Sequence, residues 1–283
     1  MASGFCCRAH TARPRPASAT RTAGDIHSFC RLFLHITHMP EPEFDYEGAF
    51  DEDYLHFYVE ILHRRTDSDI ELIWQRLGLE PGMEVLDLAC GHGRITNRLA
   101  QRGCLMTGLD SSEFFLQLAR QDAQDREVSV EYVHGDMRDL PWSGRFDRII
   151  NWFSAFGYFD DEENQRVLAQ AAAALKPGGR LAIETLSFAY LLRHFSQSSV
   201  VQRGDDFMID QHRLDLLTSR VFTERTIVRD GRTRRVPFFV RLFTYTELRE
   251  RLLAAGFTQV SGYGADQAPL TLDSRRMIVI AQR

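Results

Sequence analysis

The chain has 283 residues, is 44% apolar and 26% charged, and carries a formal net charge of −5. That length allows one large domain or two small ones. An acidic balance argues against a nucleic-acid binder, whose surface is usually basic, and no apolar run approaches the length of a bilayer span.

Residues 1–40 stand apart: Arg8, Arg13, Arg15, Arg21 and Arg31 face a single acid, Asp25, in an Ala-, Ser-, Thr- and Pro-rich background. They read as a disordered leader or the product of an upstream start, with Met39 as the natural one. Cys6, Cys7, Cys30, Cys90 and Cys104 form no CxxC pair, so reduced thiols in the cytoplasm are expected. Residues 41–82 read as a helical cap with an aromatic cluster, ended by Pro81-Gly82.

From residue 83 short apolar runs alternate with amphipathic stretches. Met83–Leu88, Leu105–Leu109, Val128–His134, Phe146–Trp152 and Arg180–Thr185 are predicted strands. Arg94–Arg102, a stretch capped by Ser111 or Ser112, and Asp161–Leu175 are predicted helices. Such alternation implies βαβ units and a parallel sheet over residues 83–199. In residues 200–243 the rhythm changes: Phe207–Leu214, Arg220–Val228 and Arg232–Phe243 are predicted antiparallel strands, the last two joined by the hairpin dipeptide Asp230-Gly231. Residues 244–283 close the chain with a helix, Thr246–Ala255, and the strands Gln259–Tyr263 and Arg276–Ala281. The expected architecture is an α/β Rossmann-like sheet with N-terminal helices and an inserted antiparallel three-stranded lid.

Chemistry concentrates at Val85-Leu86-Asp87-Leu88-Ala89-Cys90-Gly91-His92-Gly93, a buried strand running into a small-residue loop. Gly91 and Gly93 leave room for close approach of a ligand. Asp110, 23 positions after Asp87 and at the end of the second strand, suits two ribose hydroxyls. A dinucleotide enzyme would aim this turn at a pyrophosphate, but Asp87 would repel a phosphate and suits a ligand bearing an amino group. His92 reads as a solvent-facing loop residue. The spacing includes no metal-ligand cluster.

Asp87–Gly93 is similar to the first motif of class I methyltransferases that use S-adenosylmethionine, with Ala89 where many members have Gly. Gly108-Leu109-Asp110 resembles their second motif, Gly135-Asp136-Met137 their adenine-binding turn, and Leu175–Gly179 the turn before their fifth strand. The resemblance covers about residues 80–185. It implies cofactor binding by Asp87, Ala89, Gly91, Gly93, Asp110, Asp136, Met137 and Asn151. The segment Asn151–Phe159 lacks the Pro-Pro pair of exocyclic-amine DNA methyltransferases, and no Pro-Cys nucleophile is present. Together with Gly135–Asp139 it resembles the N-methyltransferases of antibiotic biosynthesis. In the macrolide aminosugar group a His stands where this chain has Tyr158; the lincosamide group matches better, with two N-terminal tyrosines at Tyr46 and Tyr54 and a phenylalanine at Phe153. That implies catalysis by orientation, with Tyr46, Tyr54, Phe153 and Tyr158 around the acceptor, a small-molecule amine as substrate, and no nucleic-acid or membrane partner. Small-molecule O- or C-methylation and a macromolecular acceptor remain alternatives. The lid is expected to enclose the acceptor or to join subunits.

Overall fold

The computed structural model describes residues 46–265 and 268–283, with side chains from residue 48 onward. The expectations for residues 1–40, and the side chain of Tyr46, lie outside the described residues. Among the described residues no helix is long and apolar enough to cross a membrane.

A short helix, α1 (Tyr46–Ala49), leads into α2 (Glu52–Leu77). The start of α2 is fixed by Asp51, whose side chain accepts the Tyr54 amide at 3.1 Å, with Glu52 and Asp53 beside the positive end of the helix dipole. Its stop is Gly78, at φ +58° where a Cβ would be strained. Leu62, Ile70, Ile73 and Leu77 recur at helical spacing and are buried.

The large sheet holds β1 (Glu84–Leu88), β2 (Leu105–Asp110), β3 (Val130–His134), β4 (Phe146–Asn151), β5 (Leu175–Leu186), β10 (Gln259–Tyr263) and β11 (Arg276–Gln282). Their order is β10-β11-β5-β4-β1-β2-β3. The strands β1 to β5 run parallel, whereas β11 is antiparallel to both β5 and β10. Strand order reverses at β1, which lies between β4 and β2, so a crevice opens there beyond the carboxyl ends of the strands. One face of the sheet buries α2 and α3 (Thr96–Gln101) through Ile70, Ile73, Leu77, Ile95 and Leu99. The other buries α5 (Asp161–Ala174) and α7 (Tyr245–Ala254) through Val167, Leu168, Leu248 and Leu252. Helix α4 (Glu113–Asp125) packs on β2 and β3, its start capped by Ser112. The Lys176–Gly179 turn expected before the fifth strand is a bulge within β5, where the pairing with β4 shifts register between Phe146 and Arg148.

After α6 (Phe188–His194) comes a separate antiparallel sheet of β6 (Ser198–Arg203), β7 (Asp206–Asp215), β8 (Arg220–Arg229) and β9 (Arg232–Arg241). It has four strands where the sequence pattern marked three. The extra one, β6, is a polar edge strand with little hydrophobic alternation to announce it. Asp230 and Gly231 form the expected tight hairpin, at φ +51° and +71° between the paired Arg229 and Arg232. The inner face of this sheet packs on the N-terminal helices: Met208 and Ile227 on Phe57, and Val236 on Ala49. Arg234 pairs with Asp51 and Asp53, and Arg229 with Asp53 at 2.9 Å. Arg234 therefore ties the β8–β9 hairpin to the N-terminal helices.

Candidate active site

The crevice at the carboxyl ends of β1, β2 and β4 holds a cavity of about 150 Å³. Its floor is the loop after β1. Ala89 turns the chain at φ +63°, a conformation that strains any residue except glycine. The Cys90 amide then bonds to the Leu109 carbonyl at 3.0 Å, which ties the loop to the end of β2. The Gly91 amide donates to Asp110 Oδ2 at 2.7 Å, and Asp110 Oδ1 accepts from Ser112 at 2.9 Å. A Cβ on Gly91 would meet nothing within 4 Å, since this residue borders the cavity. Gly93 is different: a Cβ there would lie 2.4 Å from the Tyr132 hydroxyl and 2.8 Å from Ala119 Cβ. It is small so that α4 and Tyr132 can pack behind the loop, and it does not line the cavity.

Asp87, Ala89, Gly91, Asp110, Asp136 and Met137 all line the cavity, as do Tyr54, Phe153 and Tyr158. Asn151 does not: its Nδ2 donates to the Leu88 carbonyl at 2.9 Å, bracing β4 against β1 behind the wall. Asp87 is buried and accepts from the Thr96 hydroxyl at 2.6 Å; burial pushes its carboxyl up to about 6. Burial also raises Asp110. For Asp136 burial pushes up, but the hydrogen bonds from Arg138 outweigh it and leave the carboxyl below its ordinary value. Arg138 spans Asp136 at 2.6 Å and Glu163 at 2.5 Å.

Three features were not anticipated from the sequence. His92 is not solvent-facing: it lines the cavity, its Nε2 is buried without a hydrogen-bond partner, and burial, reinforced by the Arg94 charge, lowers its ring to about 4. Arg94 supplies the cavity's guanidinium, held by Asp69 at 3.2 Å. Behind it runs a buried network in which Asp69 also pairs with Arg276 at 2.7 Å, and Arg276 pairs with Glu184. Glu184 Oε2 accepts the Phe153 amide at 2.7 Å, and its carbonyl accepts the Ser154 amide at 3.0 Å. Phe153 and Ser154 stand consecutively at φ +65° and +58°. Two strained residues in sequence persist only where the surroundings over-determine them, and Glu184 does so here. The Phe153 ring lies under the guanidiniums of Arg65 and Arg94, at 4.9 and 5.5 Å.

The opposite wall is aromatic. Tyr54 contacts Phe50 at 5.2 Å, Tyr58 at 4.8 Å and Phe115 at 6.1 Å between ring centroids, and Phe50 meets Tyr158 at 5.5 Å. Burial raises the Tyr54 hydroxyl well above its ordinary value, so it stays protonated.

These donors fit S-adenosylmethionine. Asp110 at the end of β2 suits the ribose diol, Asp87 an ammonium group, Arg94 a carboxylate, and the rings a purine and a sulfonium. The orphaned His92 Nε2 marks a polar group awaiting a ligand.

Residues 85–179 match the family model for a methyltransferase domain. Fold and match together define the class: an S-adenosylmethionine-dependent class I methyltransferase, with S-adenosylmethionine as its cofactor. Among curated relatives, a protein of Geobacillus sp. (strain WCH70) named as a methyltransferase is 25% identical over 82% of this chain and 99% of its own length. A ubiquinone biosynthesis O-methyltransferase of Coxiella burnetii is 32% identical over 44% of this chain, which spans about half (53%) of that relative. Among solved structures, S-adenosylmethionine-bound CalS10, an amino pentose methyltransferase from Micromonospora echinaspora, has a TM-score of 0.59 at 21% identity, covering 78% of this chain and 91% of its own. The sugar N-methyltransferase KedS8 from Streptoalloteichus has a TM-score of 0.55 at 16% identity, covering 97% and 99%.

Proposed function

We propose that the chain methylates an amine nitrogen of a small molecule in a secondary-metabolite pathway. One observation carries the reading. The cavity's carboxylates all sit at the ends of β1, β2 and β3, whereas the wall formed by the β4 loop and the N-terminal helices presents Phe153, Tyr158, Phe50 and Tyr54. An aromatic wall attracts a cationic or amino-bearing acceptor by roughly 0.5–2 kcal/mol. A hydroxyl acceptor would need a base there; His92 is too weakly basic and Tyr54 is held protonated.

When bound, S-adenosylmethionine supplies an electrophilic methyl group on a sulfonium. The acceptor's lone pair forms the new N–C bond while the C–S pair returns to sulfur, and the nitrogen's surplus proton leaves to water. The chain's contribution is orientation, which can supply about 7–11 kcal/mol of the barrier. Asp110 and Asp87 fix the donor, and Phe153, Tyr54 and Tyr158 fix the line of approach. The likeness in fold to CalS10, an amino pentose methyltransferase, and KedS8, a sugar N-methyltransferase, supports an amino-sugar-like acceptor, and the net charge of −5 supports a small molecule over a nucleic acid.

The test is incubation with methyl-labelled S-adenosylmethionine and matched panels of amines and alcohols, read by mass spectrometry. Label in amines alone is expected. Label in hydroxyl compounds alone would replace this reading with O-methylation, the reaction named for the Coxiella relative.

A further inference from the structure

A second cavity, of about 260 Å³, lies at the other end of the large sheet. It opens on the face that packs against α2, over Arg180 of β5 and the paired ends of β10 and β11. Gln259, Gln282 and Arg180 form one rung across these three strands, in register. Arg76, in the last turn of α2, closes the side, and Ser261 and Tyr263 complete the wall. Neither aspartate nor glutamate is among the residues lining it.

Among the described residues the cations here have no ion-pair partner. The Arg76 guanidinium lies over the Tyr263 ring, its central carbon 3.8 Å from the ring centroid, and its Nε and Nη2 are buried without a hydrogen-bond partner among the described residues. Half-buried Arg180 has no ion pair or side-chain hydrogen bond among the described residues. The neighbouring Arg148 registers that charge: burial first, and then Arg180, make its protonated form less favourable. Capping α2 does not account for Arg76. The Gln75 and Trp74 carbonyls are taken by the backbone at Gly78, and the Leu77 carbonyl by Arg148 Nε at 2.6 Å. Two guanidiniums lining one groove beside amide and hydroxyl donors, with no acid in that lining, make a receptor for an oxyanion.

We infer that this groove binds the phosphate group of a small molecule, with Arg76 and Arg180 as its charged contacts and Gln259, Gln282 and Ser261 as neutral donors. The site is separate from the cofactor cleft. Arg180 precedes Glu184 by four residues on β5, toward the amino end of the parallel strands, whereas the cleft lies beyond their carboxyl ends. Occupancy therefore does not compete with S-adenosylmethionine, and the inference stands whatever the methyl acceptor proves to be.

Calorimetric titration of the full chain with inorganic phosphate, at ionic strength held constant with sodium chloride, tests it. Saturable binding is expected, weakened about tenfold or more in Arg180→Gln and Arg76→Gln, as loss of a charge-assisted contact implies. Asp110→Ala, which alters the cofactor site, should leave phosphate affinity unchanged, and S-adenosylhomocysteine should not displace phosphate. Arg180→Gln removes no packing on Tyr263, so it remains informative if Arg76→Gln does not fold. Absence of heat beyond the chloride control, equal affinity in folded Arg180→Gln, displacement by S-adenosylhomocysteine, or tighter binding of succinate than of phosphate would each overturn the assignment.

Discussion

Replacing Glu184 with glutamine tests whether the buried network behind the cavity sets the geometry of the loop after β4. The Glu184 side chain is 3% exposed and Arg276 17%. The carboxylate serves three donors at once, the Phe153 amide through Oε2 and the guanidiniums of Arg276 and, at 3.5 Å, Arg65 through Oε1. Glutamine offers one acceptor oxygen, so its amide N–H must face one of these donors. Removing one partner of a buried pair costs about 3–5 kcal/mol. At about 2–4 °C per kcal/mol for a chain of this size, the lower figure lowers the melting temperature by about 6–12 °C. The functional effect is more specific. Phe153 and Ser154 together store about 2–4 kcal/mol of left-handed strain, and the Glu184 bonds are what oppose its release. With one bond gone, the loop relaxes and the Phe153 ring leaves its place under Arg65 and Arg94. We expect kcat/KM to fall about 10- to 100-fold, a loss of about 1.4–2.7 kcal/mol of transition-state stabilisation. Cofactor affinity should change far less, because Asp87, Gly91 and Asp110 are held by β1 and β2. Single-turnover methyl transfer, with cofactor binding measured in parallel, separates the two. If Glu184→Gln keeps kcat/KM within about twofold of the parent, the network is scaffold only and the strained pair needs another explanation.

Four further outcomes follow from the same geometry. Asp87 has its folded-state carboxyl raised from 3.8 to about 6; its contribution to stability is therefore full below pH 4 and is lost as pH rises through 6, about 3 kcal/mol in all. Asp87→Asn should abolish that slope in cofactor-free protein and, if ionised Asp87 holds the ammonium group, should flatten the fall in S-adenosylmethionine affinity expected below pH 6; an unchanged affinity profile would dismiss that role. Ala89→Gly relieves about 1–2 kcal/mol of strain and adds about 0.4–1 kcal/mol of unfolded-state entropy, so urea denaturation should find it neutral to slightly stabilising, and a clear loss would show that Ala89 is not strained. Gly93→Ala forces a Cβ onto Tyr132 and Ala119 and should destabilise by more than about 2 kcal/mol, with little protein recovered folded. In the small sheet, Asp210 and Arg225 form a two-pronged pair at 2.8 Å, both side chains 7% exposed; Asp210→Leu alone should cost about 3–5 kcal/mol, whereas Asp210→Leu with Arg225→Met should recover most of it.

How much of this was legible in the sequence depended on the distance over which each contact acts. The loop after β1 could be read because its partners are local in the fold. Asp87 sits one residue before the end of β1, Asp110 ends β2, and adjacent parallel strands place both beside Gly91 whatever the rest of the chain does. The Asp230-Gly231 hairpin was legible for a similar reason, since its backbone geometry is written in two residues. Gly93 was read as space for a ligand because glycine reports only that a side chain is forbidden; whether ligand or protein forbids it depends on Tyr132, 39 positions away. His92 was read as exposed because polar loop residues usually are, and only α2 and Phe115 closing over it make it buried. The network that fixes Phe153 joins Asp69 to Arg276 across 207 positions, and each member alone reads as an ordinary surface charge. Sequence patterning thus locates the half of the cavity proposed to hold the cofactor, which is built from strand ends. The half assigned to the acceptor in the proposed reading is assembled from Phe50, α2, the β4 loop and long-range ion pairs, and it rests on tertiary contacts that no local pattern encodes. On that reading, substitutions at Glu184 and Arg276, which stand behind the cavity, should alter acceptor handling, and those at Asp110 and Asp87, which line it, cofactor binding.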